Sequence, residues 1–210
     1  MDEPNIEQKY GATYRHSLVN IFRTNIGYLP DATQLDRTQY MPFLLKRRNE
    51  KNYRQISFFE LSGEIFKRFF EIVNNSEIFD GEAKKTMIDS FNTLQLLLLS
   101  NNQKIHFFFI DYLQETKGYK DKDGFRQSDY LEAAATFFRD NNDIFKKKTN
   151  AVYVVLSKAD EIKGNDIKNS AKTFLMENFG NFMDVLSNRC RKDSIFFDVI
   201  LFSIGDVYLK

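Results

Sequence analysis

The pattern of apolar and polar residues along the chain predicts strands that alternate with helices. Six consecutive apolar residues at 151–156 run directly into the polar tetrapeptide Ser-Lys-Ala-Asp at 157–160. A continuous apolar run of this length is typical of a strand buried on both faces. Similar runs predict strands over residues 104–112 and 194–203. The pattern therefore predicts three strands in the second half of the chain, of which those at 104–112 and 151–156 are buried.

Helical spacing of apolar residues separates these strands, and a hairpin precedes them. Two short apolar runs at 41–46 and 55–61 enclose a charged segment, which is typical of a β-hairpin. Ser128 is predicted to cap one of the later helices, and the last helix is expected to break near Gly180. Apolar residues recur at helical spacing over four segments, which are 64–73, 81–100, 130–145 and 166–191.

Alternation of strands with helices predicts the fold class. Strands joined by helices form parallel sheets with the helices packed against the faces. We therefore expect an α/β fold with a mostly parallel sheet of about five strands. The hairpin would form its antiparallel edge, and helices would cover both faces. At 210 residues, the chain is expected to form one domain over 1–210.

Composition narrows the class of partner. The net charge is +1, from 30 basic and 29 acidic residues, so no broad attraction to nucleic acid follows. The apolar runs are too short to span a bilayer, and the polar N-terminus is unlike a signal peptide. A cytoplasmic location is the expectation. One cysteine, Cys190, excludes an internal disulfide, and His106 is expected to pack in or beside the core rather than bind a metal.

Three predicted strands end in residues able to contact a ligand, and ligands of open α/β sheets bind at such ends. One of them ends in the small residues 203–205, whose backbone N–H groups can reach a ligand oxygen. Glu60 ends one strand and could hold Mg²⁺, and a glycine, Gly63, follows it. Asp160 follows another strand, and its carboxylate can accept two hydrogen bonds from the edge of guanine. Each acid could instead favour a helix N-terminus or cap a turn.

These stretches together resemble motifs of the P-loop GTPases. Residues 60–63 (Glu-Leu-Ser-Gly) resemble the Asp-x-x-Gly motif, with Glu in place of Asp. Residues 157–160 (Ser-Lys-Ala-Asp) resemble the Asn-Lys-x-Asp guanine-specificity motif, with Ser in place of Asn. Residues 203–205 (Ser-Ile-Gly) resemble the Ser-Ala-x motif that closes over the base. Within this family, the stretch Phe-Glu-Leu-Ser-Gly-Glu at 59–64 most resembles a bacterial double-GTPase-like group.

The resemblance implies a guanine-binding set of residues. Asp160 would bind the guanine edge, Lys158 would flank the base, and Ser157 would take the place of the motif's asparagine. Ser203 and Gly205 would lie over the base. The implied ligands are GTP or GDP.

The resemblance also implies groups for the phosphates and for Mg²⁺. Glu60 would act near Mg²⁺ and Gly63 near the γ-phosphate. A switch threonine would be Thr38 or Thr33, both of which precede the first strand. The γ-phosphate would then order the surrounding loops, as in a nucleotide-dependent switch.

The sequence departs from the family in one main respect. It contains no Gly-x-x-x-x-Gly-Lys-Ser/Thr phosphate-binding loop and no first strand before it. That loop supplies most of the phosphate and Mg²⁺ contacts, so the chain alone is expected to be inactive in hydrolysis. It would be a truncated domain, completed by a loop upstream, or a degenerate relative.

Two further functions remain open. The chain could be a non-catalytic protein-interaction module that retains a GTPase-like fold. It could also be an unrelated enzyme in which Glu60, Asp111 and Asp160 bind Mg²⁺ at neighbouring strand ends.

Overall fold

A computed structural model of the chain describes residues 39–46, 51–60, 92, 94–122, 124–141 and 143–203. The strands are β1 (Gln39–Leu45), β2 (Arg54–Glu60), β3 (Lys104–Asp111), β4 (Thr149–Ser157) and β5 (Phe196–Phe202). The helices are α1 (Tyr112–Thr116), α2 (Gln127–Asp140), α3 (Asp143–Lys146) and α4 (Ile167–Lys192), and a 3₁₀ turn covers Ala159–Glu161. Residues 94–99 are also helical.

The predicted hairpin forms and, among the described strands, makes a two-stranded sheet of its own. β1 and β2 make an antiparallel two-stranded sheet in which Gln39 pairs with Glu60 and Leu45 with Arg54. Pro42 lies within β1 and has no N–H to donate, which suits a strand at a sheet edge. The hairpin and the parallel sheet belong to different compact units of the chain. The α/β class and the total of about five strands are confirmed, but in the described residues the strands form two sheets and not one sheet with an antiparallel edge.

The parallel sheet has three strands in the order β3-β4-β5. Both strand pairs are parallel, with Asp111 beside Ser157 and Ser157 beside Phe202. α1, α2 and α3 connect β3 to β4, and α4 connects β4 to β5. The carboxyl ends of all three strands therefore meet at one edge of the sheet.

Both long helices cover the same face of this sheet. The ring of Phe108 on β3 packs edge-on against Phe138 of α2 and Phe182 of α4. All three rings are buried, together with Val152 and Val154 of β4. Side chains alternate between the faces of a strand, so these residues form the core between sheet and helices. The expectation of helices on both faces is not met by α2 and α4.

The opposite face of the sheet is apolar, and it is exposed along β3 and at Phe196 of β5. Phe107 stacks on Tyr153 of β4 at 5.3 Å, and Tyr153 contacts Phe196 of β5. Phe109 is 67% exposed, although it lies next to buried Phe108. β3 is thus buried on one face only, whereas its sequence predicts burial on both.

The predicted break in the last helix is confirmed. α4 begins after Asp166, whose side chain accepts a hydrogen bond from the N–H of Asn169. Phe179 has non-helical angles (φ −134°, ψ 25°) and so divides the helix into two parts beside Gly180. Leu175 and Phe182, on either side of the kink, are both buried. Within the described residues, no helix combines the length and apolarity needed to cross a bilayer.

His106 packs beside the core, as expected, and Cys190 lies within it. The ring of His106 contacts Phe145 edge-on at 5.4 Å, and its Nε2 lies 3.1 Å from the Thr149 hydroxyl. Burial, together with nearby Lys104, lowers the pKa of His106 from 6.5 to about 4. Cys190 is buried on α4, and burial raises the pKa of its thiol to about 11.

Candidate functional site

The carboxyl ends of β3 and β4 bring three of the chain's polar residues together. Ser157 ends β4, and its hydroxyl donates to the carbonyl oxygen of Ile110 on β3 at 3.1 Å. Asp111 is the last residue of β3, and Lys158 follows β4. The Lys158 ammonium lies 2.8 Å from Oδ2 of Asp111. The site is therefore a charged pair that bridges two adjacent strand ends.

The backbone turns sharply at Lys158. Its angles (φ 56°, ψ 39°) lie in the left-handed region, which a lysine rarely adopts. Holding a non-glycine residue there costs on the order of 1–3 kcal/mol, and such costs cluster at functional sites. The turn leads directly into the one-turn 3₁₀ helix that contains Asp160.

The carboxylate of Asp160 is exposed on that short helix. Within the described part of the chain, no hydrogen bond or salt bridge involves its side chain. Its neighbour Ala159 is buried, which fixes the turn against the protein. Asp160 therefore presents an open anionic acceptor beside the carboxyl edge of the sheet.

The remaining predicted site residues are described only in part. Ser203 follows β5 and is exposed, so it lies at the same sheet edge as Ser157. Glu60 ends β2 in the hairpin unit, and its side chain is outside the described residues. The other predicted positions also lie outside them, namely Gly63, Gly205, Thr38 and Thr33.

The alternative metal site gains no support from Asp111. Both oxygens of this carboxylate are engaged, one by Lys158 and the other by the N–H of Gln114 at 3.0 Å. No group of three His, Cys, Asp or Glu side chains among the described residues is arranged to hold a metal ion.

A buried acid lies in α1, the helix that follows Asp111. Glu115 in α1 is 3% exposed, and its Oε1 lies 2.7 Å from the guanidinium of Arg126. Ser128 donates to the same carboxylate from its N–H and its hydroxyl, at 3.2 and 3.0 Å. Ser128 is therefore not the N-cap of α2, as its position in the sequence suggested. The N-cap is Arg126, and the helix begins at Gln127.

Arg126→Met is expected to lower the free energy of unfolding by about 1–2 kcal/mol. Removing one partner of a buried ion pair leaves the other charge uncompensated, at a cost of about 3–5 kcal/mol. Arg126 is 38% exposed, so solvent screening reduces that figure. Urea unfolding at pH 7 measures the change. Lys146→Met is the matched control, because its pair with Asp143 is exposed, and an equal loss there would contradict the prediction.

Sequence reasoning placed Asp160, Lys158 and Ser157 correctly at the end of a buried strand. It missed the pairing of Lys158 with Asp111. The signal was present, since Asp111 directly follows a second apolar run, and a parallel register sets it beside Ser157. It also missed Gln127, whose amide binds the backbone of Asp111.

Comparison of the chain with protein-family models, with curated proteins and with solved structures yields no significant match.

Proposed function

We propose that this chain carries the base-recognition part of a GTPase-like domain and binds guanine nucleotides through Asp160. The observation that carries the proposal is the open carboxylate of Asp160 at the end of a buried central strand. Guanine offers two adjacent N–H donors on one edge, and a carboxylate oxygen pair accepts both. The left-handed turn at Lys158 supports the proposal, because backbone conformations of this kind cluster at functional sites.

Nucleotide binding, rather than hydrolysis, is the activity proposed for the chain itself. No Gly-x-x-x-x-Gly-Lys-Ser/Thr stretch is present to hold the phosphates. In a domain completed by such a loop, Glu60 and Thr38 would serve the Mg²⁺ ion, and the nucleotide would act as a switch. Base contacts alone give modest affinity, since two charge-assisted hydrogen bonds must offset the cost of association. We expect a dissociation constant on the order of 1 mM.

A titration followed by NMR tests the proposal. Guanosine and GDP, but not adenosine or ADP, should shift the amide signals of residues 157–161. Asp160→Ala should abolish the shifts. Glu161→Ala is the matched control, because Glu161 is an exposed acid on the same turn. Absence of guanine binding, equal shifts with adenosine, or unchanged binding by Asp160→Ala would contradict the proposal.

A second candidate function is that of a protein-interaction module. The observation that favours it is the exposed apolar face of the sheet, formed by Ile105, Phe107, Phe109 and Phe196. Exposed apolar patches of this kind often mark interaction sites. A nucleotide titration without effect, combined with protection of these residues by a partner, would favour this function over the first.

A further inference from the structure

Asp111 at the end of β3 is fixed from three directions. Its Oδ1 accepts the N–H of Gln114 at 3.0 Å and so caps α1. Its backbone N–H donates to Oε1 of Gln127 at 2.9 Å, and its carbonyl oxygen accepts from Nε2 of Gln127 at 3.2 Å. The amide of Gln127 thus binds both backbone groups of Asp111 at once. These contacts leave Oδ2 as a fixed anionic point at the sheet edge.

The side chain of Lys158 forms an ion pair with this carboxylate oxygen. Its ammonium lies 2.8 Å from Oδ2, while its backbone belongs to the turn after β4. Neighbouring strands are about 4.8 Å apart, so the lysine stem has to extend across the gap between the two strand ends. The Lys158 side chain is 51% exposed, and that of Asp111 is 26% exposed. Part of the stem therefore stays accessible, two residues before the open carboxylate of Asp160.

A free lysine side chain has large rotamer freedom, and a ligand that packs on it must offset the loss of that freedom. A lysine stem that is already held at its ammonium end loses less rotamer freedom when the ligand binds. Lysine stems also provide apolar contact area while the charged group stays in water. The ion pair with Asp111 holds the Lys158 ammonium and leaves part of the apolar stem accessible, two residues before Asp160.

We propose that Asp111 is a positioning residue for guanine recognition, which holds the Lys158 ammonium so that the lysine stem is preset as a surface for the base. The inference rests on the proposed function of Asp160. Asp111 itself touches no base. Its effect passes through Lys158, and it is lost when either member of the pair loses its charge.

Asp111→Asn tests the inference with little change in shape. The asparagine side chain keeps an oxygen that can cap α1 but loses the charge that holds Lys158. Partly exposed ion pairs contribute modestly, so guanosine and GDP should bind about two- to fivefold more weakly. Asp143→Asn is the matched control, since it removes the charge of the exposed Lys146–Asp143 pair at 3.2 Å. It should leave the dissociation constant unchanged.

A double-mutant cycle separates positioning from a merely structural role. Lys158→Met keeps an unbranched stem, lacks the ammonium and leaves the α1 cap untouched. In that background Asp111→Asn should have no further effect on guanosine binding. An effect as large as in the parent chain would overturn the inference. Lys158→Met also provides the test if Asp111→Asn fails to fold.

A second readout needs no nucleotide. Acylation of Lys158 by an amine-reactive ester, followed by mass spectrometry, reports how firmly the ammonium is held. Asp111→Asn should raise the labelling rate of Lys158 about two- to fivefold relative to Lys146. Equal rates in the parent chain and the variant would overturn the inference.

The outcomes distinguish the two proposals. If the parent chain binds no guanosine or GDP, the proposed function fails, and the inference fails with it. If the parent chain binds, Asp160→Ala abolishes binding, and Asp111→Asn leaves binding unchanged, only the inference is overturned. Equal weakening by Asp111→Asn and Asp143→Asn also overturns only the inference.

Discussion

Phe108→Ala is expected to lower the free energy of unfolding by about 3–5 kcal/mol, the range for deleting a buried aromatic side chain. Phe108 is 7% exposed, and its ring centroid lies 5.6 Å from that of Phe138 and 5.3 Å from that of Phe182. Truncation removes contacts from the sheet to both long helices and leaves a cavity between them. Urea unfolding at pH 7, followed by circular dichroism, measures the loss.

The next residue along β3 is the control for this prediction. Phe109 is 67% exposed on the opposite face, so Phe109→Ala removes the same number of atoms from water-accessible surface. We expect a change of less than about 1 kcal/mol, because little area is withdrawn from contact. Equal losses at the two positions would contradict the assignment of the two faces.

Acidification is expected to destabilise the chain through His106. Burial lowers the pKa of this ring from 6.5 to about 4 in the folded state. The unfolded state therefore takes up a proton below pH 6.5, while the folded state remains neutral until about pH 4. Stability from this residue is complete above pH 6.5 and is lost as the pH falls through that window. The loss is on the order of 3 kcal/mol by pH 4, since each pKa unit corresponds to about 1.4 kcal/mol.

His106→Gln isolates this contribution from that of the carboxylates. The glutamine amide can bond the Thr149 hydroxyl, as Nε2 of His106 does at 3.1 Å, but it does not titrate. Urea unfolding between pH 4 and pH 8 should show a shallower decline for the variant below pH 6.5. Parallel curves for the two proteins would show that His106 does not titrate differently on folding.

The strands illustrate what the sequence could and could not predict. The apolar run of β4 predicted burial on both faces, and Val154 and Val155, which point to opposite faces, are both buried. β3 carries a similar run, yet Phe107 and Phe109 are exposed. An apolar strand shows that two faces can be buried, but the covering element is set by distant parts of the chain. Whether the hairpin pairs with another strand is likewise set by distant parts of the chain.

The helix boundaries and the site residues also show that a local signal can be overridden by contacts with other parts of the chain. The break beside Gly180 followed from a local signal, and it appears at Phe179. Ser128 was predicted to be a cap from its local sequence, but the buried carboxylate of Glu115, thirteen residues earlier, accepts its hydrogen bonds. The left-handed angle of Lys158 has no local signal, because lysine has no preference for that region. Its ion pair depends on the register of two strands.

The exposed aromatic face of the sheet also affects how the chain responds to temperature. The heat capacity increase on unfolding comes mainly from apolar surface that water newly reaches. Phe107, Phe109 and Phe196 already contact water in the folded state, so they contribute less to this increase than buried phenylalanines do. Their exposure therefore reduces the heat capacity change of the chain, so that its free energy of unfolding curves less with temperature. A ligand or partner that covers them would bind with a negative heat capacity change, which calorimetry detects directly.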